Sequence, residues 1–306
     1  MAMALARIEA APNEPVTQSL LDAAFHGPRA HVVGVTGPPG VGKSTLLSSL
    51  VKAYRRRGQT VGVIAVDPSS RRSGGALLGD RMRLELDPDD QGVFVRSMAA
   101  RDRFGGLAPL TQGGVVLMRA VYDVVFVETV GVGQTETAVA SVSDTVLLCI
   151  QPGSGDSLQY MKSGIAEIPD LAIVNKADLG GLARKAKADL ESALALATSD
   201  QEGWTVPVML VSAGSGQGID ELIERLASRV AFLRSSGRLE ARREEQVQAW
   251  LEEGVLEEFG RHGLERLRQR GESLQLRPGA SPFKRLREIA RTLRERASLL
   301  PQIGLS

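Results

Sequence analysis

The sequence predicts an α/β protein with a doubly wound, mostly parallel sheet and a C-terminal α-helical extension. Three observations support this fold class. Short runs rich in β-branched residues alternate with helical stretches, as in a parallel sheet wrapped by helices. Several runs are apolar without alternation, which is expected of strands buried on both faces. Near residue 234 the density of charged side chains rises sharply, which indicates a boundary between two kinds of structure.

Seven runs are predicted to be strands, with helices in the intervals between them. The strands cover residues 31–36, 60–67, 92–96, 124–129, 145–151, 171–175 and 207–212. A helix over residues 43–57 is predicted to end at Gly58, because glycine readily adopts the left-handed conformation that terminates helices.

The charge distribution divides the chain into three parts. We predict a short N-terminal helical arm over residues 1–30, an α/β domain over residues 31–233 and a helical extension over residues 234–306. The extension holds 15 basic and 11 acidic residues among its 73. Its two apolar stripes at helical spacing fit either a hairpin packed on its own domain or a homodimer interface, and the spacing does not separate the two.

The composition excludes several classes of function. A single cysteine, Cys149, excludes an intramolecular disulfide and a cysteine metal cluster, and it suits a reducing cytoplasm. A net charge of +1 and 4% aromatic residues argue against a nucleic-acid partner. The chain shows neither a secretory signal nor a span-length apolar segment, so we expect a cytoplasmic protein with no membrane partner.

The segment after the first strand has the pattern of a phosphate-binding loop, G-x-x-x-x-G-K-[ST]. Its glycines allow successive backbone N–H groups to converge on the phosphates, and the following helix N-terminus adds partial positive charge. Lys43 is expected to reach the β- and γ-phosphates, and Ser44 can ligate Mg²⁺. The predicted nucleotide contacts here are Gly37, Pro38, Pro39, Gly40, Val41, Gly42, Lys43, Ser44 and Thr45.

Two later segments predict that the base is guanine. Asn175, Lys176 and Asp178 form an N-K-x-D pattern at the end of an apolar strand. A carboxylate there can accept both the N1–H and the exocyclic amine of guanine, whereas adenine has no such pair of donors. Ser212 and Ala213 follow the last strand and are expected to offer backbone N–H to the guanine oxygen. We therefore predict GTP or GDP as the ligand.

Acidic residues near the phosphate loop form a predicted Mg²⁺ site. Asp67 and Glu128 each end an apolar strand, and Asp80 follows a glycine-rich segment. Carboxylates can hold this hard cation directly or through its waters, together with Ser44. The N–H of Gly131 is expected to contact the γ-phosphate. Lys43 is the expected catalytic cation, with Asp67, or more weakly Gln134, orienting the attacking water.

These motifs closely resemble the MeaB/ArgK family, GTPase chaperones of methylmalonyl-CoA mutase in the SIMIBI class of P-loop GTPases. The matching stretches lie at residues 35–45, 66–70, 73–75, 78–80, 94–99, 105–108, 127–136, 155–156, 162–164 and 175–178. The resemblance implies a GTPase that gates adenosylcobalamin delivery to the mutase, with residues 234–306 as a dimerisation extension. It also implies a further switch loop that communicates with the mutase; its predicted residues are Gln151, Gly155, Asp156, Ser157 and Lys162. Ser157 stands where the family usually has glutamate.

Two other functions are compatible with a guanine-nucleotide site. One is an accessory GTPase for nickel insertion into urease or hydrogenase, which would require Cys or His ligands beside the nucleotide. The other is a nucleotide-gated binding module whose hydrolysis is incidental. A protein kinase is disfavoured because no second substrate site is visible. A chromosome-partition ATPase is disfavoured because Pro38 and Pro39 occupy the place of its early lysine.

Overall fold

The structure is a computed structural model of the 306-residue chain. It describes residues 1–67, 84–99, 109–129, 138–153, 168–197, 203–277 and 279–295. Asp67 is described in its backbone alone.

A seven-stranded sheet forms the centre of the molecule, and all of its strand pairings are parallel. The strands are β1 His31–Thr36, β2 Val61–Asp67, β3 Val93–Ala99, β4 Val124–Thr129, β5 Thr145–Ile150, β6 Leu171–Val174 and β7 Val208–Leu210. Their order across the sheet is β3-β2-β4-β1-β5-β6-β7. The predicted fold class and each of the seven predicted strands are confirmed, with ends that differ by at most three residues.

Helices cover both faces of this sheet and form the C-terminal region. They are α1 Ala2–Ala10, α2 Pro15–His26, α3 Lys43–Arg56, α4 Pro109–Val121, α5 Gly181–Ala197, α6 Ile219–Ser235, α7 Arg238–Gln269 and α8 Pro282–Glu295. Gly58 has φ +75° directly after α3, so the predicted end of that helix is correct. None of the helices in the described ranges combines the length and apolar composition needed to cross a membrane.

The core lies on both faces of the sheet because the central strands are apolar on both sides. Along β1, Val33 and Val35 pack with Leu46 and Leu50 of α3. Val32 points to the other face and joins the cluster formed by α1, α2 and α4. Every residue of β1 is buried, as the lack of alternation in its sequence indicates.

The strand order places a crevice at the carboxyl end of β1. β1 lies between β4 and β5. The connection that follows β1 runs to β2 in one half of the sheet, whereas the connection that follows β4 runs to β5 in the other half. Such a switch point is where open α/β sheets bind ligands. The phosphate-loop sequence follows β1 directly and therefore lies in this crevice.

The C-terminal helices pack against their own chain. α7 bends at Gly260, whose φ of 64° and ψ of −170° are not helical. α8 folds back along α7 and also contacts α2. Trp250 of α7 and Phe283 of α8 stack edge to face, with ring centroids 4.9 Å apart. The two predicted helical stripes are therefore present, and within this chain they face one another. Dimerisation through this extension stays a prediction.

Candidate functional site

The phosphate loop is shaped by glycines that no other residue could replace without strain. Gly37 has φ +142°, and a Cβ there would lie 2.0 Å from the carbonyl oxygen of Cys149. Gly40 and Gly42 have φ of 77° and 92°. At the tip of the loop Pro39 and Gly40 are exposed. The loop can therefore curl closely over β5 and present its backbone to a ligand.

Lys43, the first residue of α3, is held inside this loop. Its Nζ donates to the carbonyl oxygens of Gly37 at 2.7 Å and of Pro38 at 2.9 Å. The residue is only 6% exposed. The ammonium group is thus already positioned where the loop would surround a phosphate chain, as its place in the motif predicts.

Ser44 meets one of the predicted acidic residues. Its Oγ donates to Oε1 of Glu128 at 3.0 Å. Glu128 is next to the last residue of β4 and lies beside Val35 of β1 in the sheet register, so strand pairing brings it to the start of α3. The carboxylate is also largely buried. The predicted pair of oxygen ligands is therefore brought together.

Asn175 joins the phosphate loop to the two loops predicted to bind the base. Its Nδ2 donates to the carbonyl of Val41 at 2.9 Å, and its Oδ1 accepts the N–H of Ala213 at 3.0 Å. The residue is buried. The Ala213 N–H, predicted to face guanine, is thus engaged within the site, and its contact with the base stays a prediction.

Asp178 is oriented by the other predicted base-binding loop. Ser212 Oγ donates to Oδ1 of Asp178 at 2.6 Å. This hydrogen bond is the main cause that lowers the pKa of Asp178 below its usual value, so the carboxylate is ionised at neutral pH. Lys176, two residues earlier, has φ of 59° and an exposed side chain. The carboxylate of Asp178 and the ammonium group of Lys176 therefore lie at the same exposed edge of the site.

One pocket joins these parts. It has a volume of about 490 Å³ and lies between the start of α3 and the two loops after β6 and β7. Its lining residues are Gly42, Thr45, Asn175, Lys176, Asp178, Ser212, Ala213, Gly214 and Ser215. The phosphate-loop residues and Asp178, the carboxylate predicted to select the base, thus share a cavity whose volume is within the usual range for small-molecule sites.

Several predicted site residues lie outside the described part of the chain. They are Asp80, Gly131, Gln134, Gly155, Asp156, Ser157 and Lys162, together with the side chain of Asp67. Gln151 is described and directly follows β5, at the same edge of the sheet as the phosphate loop.

Three residues of the site were not predicted. Ser49 of α3 donates through Oγ to the carbonyl of Ala213 at 2.7 Å, which ties the helix to the base loop. Gly214 and Ser215 line the pocket. Gly214 and Ser215 could have been predicted as site residues because they directly follow Ser212 and Ala213. Nothing in the sequence around Ser49 distinguishes it from other helical serines.

The described residues include no group of three or more His, Cys, Asp or Glu side chains arranged to hold a metal ion. Cys149 is buried, and burial raises the pKa of its thiol to about 12. A neutral thiol beneath the phosphate loop is a poor metal ligand.

Known proteins resemble this chain over most of its length. A putative GTPase of Pyrococcus horikoshii is 47% identical over 222 residues, which are 72% of this chain and 70% of that protein. The mitochondrial methylmalonic aciduria type A homolog of Mus musculus is 40% identical over 238 residues, 75% of this chain and 57% of that protein. The crystal structure of a LAO/AO transport system kinase superposes with a TM-score of 0.64 at 29% identity, covering 96% of this chain and 92% of the other.

The family model described as methylmalonyl Co-A mutase-associated GTPase MeaB matches residues 1–266. The match includes the phosphate loop, both loops predicted to bind the base and the helices α1 to α6. The N-terminal helices and the start of the C-terminal extension are therefore part of the family pattern. The resemblance predicted from the motifs is confirmed, and this chain belongs to the MeaB family of methylmalonyl-CoA mutase-associated GTPases.

Proposed function

We propose that the protein binds GTP and hydrolyses it to GDP and phosphate with Mg²⁺. The observation that carries this proposal is the single pocket shared by the phosphate loop and Asp178. A nucleotide seated there would place its phosphates within the loop and the Watson–Crick edge of its base against the carboxylate.

The oxygen ligands near the phosphate loop suit Mg²⁺. Adjacent ligands of an octahedral Mg²⁺ at its usual distances lie about 2.9 Å apart, and Ser44 Oγ lies 3.0 Å from Glu128 Oε1. Both are hard oxygen donors, as this cation prefers. When bound, Mg²⁺ would neutralise charge that develops on the phosphates.

The protein's part in hydrolysis would be positioning and electrostatic stabilisation. Lys43 would move its hydrogen bonds from the Gly37 and Pro38 carbonyls to phosphate oxygens. Asp67 is our candidate for orienting the attacking water, with Gln134 as the weaker one. Gly131 would contact the γ-phosphate, which would make the loop around it responsive to hydrolysis.

The base preference gives the sharpest test. Asp178→Asn replaces an acceptor by an amide, whose NH₂ matches the 2-oxo group of xanthine in place of the 2-amino group of guanine. We expect GTP affinity to fall at least tenfold and XTP affinity to rise at least tenfold, measured by competition with a fluorescent nucleotide. Asp189→Asn, an exposed aspartate of α5, is the matched control. Unchanged preference in Asp178→Asn would contradict the assignment of the base site.

Catalysis is tested by Lys43→Ala. We expect phosphate release from GTP to fall about 100- to 1000-fold, because one preorganised cation is lost from the transition state. Single-turnover assays in the presence of excess protein separate hydrolysis from nucleotide binding. Turnover at the wild-type rate in this variant would refute the catalytic role.

We propose further that the nucleotide gates delivery of adenosylcobalamin to methylmalonyl-CoA mutase or a related mutase, and protects the loaded enzyme. The family description and the similarity to the methylmalonic aciduria homolog support this role. We propose a cytoplasmic homodimer, with residues 151–162 as the segment that senses the partner. Co-purification with the mutase from the same organism, with GDP and with a non-hydrolysable GTP analogue, should give a nucleotide-dependent complex. An identical yield with both nucleotides would contradict the gating role.

A further inference from the structure

A second cleft lies at the amino edge of the sheet, opposite the nucleotide pocket. Arg119 and Gln112 of α4 line it together with Trp250 of α7 and Phe283 of α8. Arg119 stands two residues before the end of α4, and its carbonyl accepts the N–H of Ala30 just before β1 begins. Since the phosphate loop follows the other end of β1, the two sites are about 20 Å apart.

The cleft contains polar groups that lack partners. Arg119 is 8% exposed and Gln112 is 6% exposed. Arg119 Nε and Gln112 Oε1 are both buried with no hydrogen-bond partner among the described residues. Buried polar groups and charges in folded proteins are ordinarily paired. These two side chains, seven residues apart on one face of α4, therefore present buried polar atoms without partners among the described residues to the cleft.

The charges around the cleft do not balance. Asp144 is close enough to raise the pKa of Arg119, but Arg243 binds both of its oxygens, at 2.8 and 2.7 Å. Two guanidinium groups thus share one carboxylate. His31 adds no charge at neutral pH, because burial lowers its pKa to about 4. Burial, followed by the charge of Arg243, lowers the pKa of Arg119 to about 10, so it is charged at neutral pH and shares Asp144 with Arg243.

The size and walls of the cleft restrict the ligand. Its volume is about 50 Å³, which is room for about four water-sized groups. Val115, Trp250 and Phe283 give it apolar walls. A planar carboxylate matches the paired N–H groups of a guanidinium, and a short alkyl group matches the walls. A phosphate ester or a large ring would not fit within this volume.

We propose that this cleft binds a short aliphatic monocarboxylate, which accepts hydrogen bonds from Arg119 and places its alkyl group against Trp250 and Phe283. A half-turn of the Gln112 amide would present its NH₂ to the second carboxylate oxygen. The site would compensate the buried charge at the junction of α2, α4, α7 and α8, and would do so independently of the nucleotide.

Trp250 provides a direct reporter of this binding. The chain has two tryptophans, so Trp204→Phe leaves Trp250 as its one indole. In this variant, sodium acetate should change the Trp250 emission saturably, whereas acetamide and sodium chloride at equal ionic strength should not. Formate, which lacks the methyl group, should bind roughly fourfold more weakly. An equal response to acetate and acetamide, or no saturable response to acetate, would overturn the proposal.

Three substitutions in the same background locate the site. Arg119→Met should weaken acetate binding at least tenfold without lowering the unfolding midpoint, because it removes an unpaired buried charge. Arg29→Met is the matched control, since Arg29 is an exposed arginine at the same edge that pairs with Asp123. It should keep the affinity within about twofold. Lys43→Ala should also keep the affinity for acetate. If the Trp250 response to acetate were lost in Lys43→Ala but not in Arg119→Met, the anion would bind at the phosphate loop and the proposal would be overturned.

A structural role for Arg119 makes a different prediction. In that case Arg119→Met would lower the unfolding midpoint by several degrees and acetate would not stabilise the parent protein. Gln112→Met provides a second variant should Arg119→Met fail to fold, and it should weaken acetate binding about threefold to tenfold. Unchanged affinity in Gln112→Met, with Arg119→Met unfolded, would count against the proposal.

Discussion

The two edges of the sheet use their charged residues in opposite ways. At the carboxyl edge, Lys43 and Glu128 line the phosphate loop, and Asp178 stands exposed at the rim of the nucleotide pocket. At the amino edge, Asp144 and Asp170 are buried and are bound by arginines from the C-terminal helices. The charged residues of the carboxyl edge face the proposed nucleotide pocket, whereas the buried carboxylates of the amino edge hold the fold together.

The amino edge explains how the C-terminal extension is attached. Asp144 and Asp170 each accept a strand N–H, from Val32 at 2.9 Å and from Val146 at 2.8 Å. The neighbouring residues Arg242 and Arg243 of α7 then bind Asp170 and Asp144 respectively. One turn of α7 is thereby fixed to two strand ends, so the extension is an integral part of the structure at this edge.

The largest expected effect is at the amino edge. Asp144→Ala should lower the free energy of unfolding by about 3 kcal/mol, because it removes a buried carboxylate and leaves the partly buried Arg243 without it. Urea denaturation measures this change. Asp220→Ala, which breaks the exposed pair with Arg57, is the control and should cost about 1 kcal/mol or less. Equal losses in the two variants would show that the buried pair is not what holds α7 to the sheet.

The carboxyl edge is expected to be most sensitive at Gly37. Gly37→Ala should cost about 3 kcal/mol of unfolding free energy, since its Cβ would meet the Cys149 carbonyl and its φ disfavours alanine. Gly40→Ala is the same substitution at a position where the added Cβ would contact no neighbouring atom. It should cost only about 1–2 kcal/mol of unfolding free energy. Urea denaturation of both variants tests this. A larger loss at Gly40 would mean that the close contact with β5 does not shape the loop.

The amino edge should also make stability depend on pH. Burial lowers the folded-state pKa of His31 from 6.5 to about 4, so the unfolded chain binds more protons between these values. The stabilisation that neutral His31 gives to the fold is complete above about pH 7 and is lost as the pH falls toward 4. It amounts to about 2–3 kcal/mol of unfolding free energy. Urea denaturation from pH 4.5 to 7.5 should show this slope, and His31→Gln should flatten it.

The smallest effect is expected at the rim of the nucleotide pocket. Ser212→Ala removes the hydrogen bond that orients Asp178. It should weaken GTP binding by roughly threefold to tenfold while lowering the unfolding free energy by no more than about 1.5 kcal/mol. Nucleotide titration measures the first and urea denaturation the second. Ser228→Ala, in α6, removes only a hydrogen bond to its own helix and should change neither. If Ser212→Ala lowered the free energy of unfolding but left GTP affinity unchanged, the hydrogen bond to Asp178 would serve the fold and not the ligand, which would contradict the contrast between the two edges.

Most of the carboxyl edge could be predicted, and most of the amino edge could not. The phosphate loop is a local pattern, and Asn175 and Asp178 lie within four residues of one another, so spacing alone identifies them. Asp144 and Arg243 are 99 residues apart, and neither lies in a recognisable motif. In the sequence, Arg242 and Arg243 contribute only to the density of charge that marks the boundary near residue 234.

The sequence by itself determined the strands and the pattern of the phosphate loop and predicted guanine as the base, because each depends on residues close together in the chain. The tertiary structure decided which distant groups meet. Ser44 and Glu128 meet because β4 lies beside β1, although two strands separate them along the chain. Ser212 meets Asp178 because β7 lies beside β6. Among the described residues, Arg119 Nε is left without a hydrogen-bond partner, because the fold gives both oxygens of Asp144 to Arg243. Such neighbours depend on strand order and helix packing, which no local pattern in the sequence records.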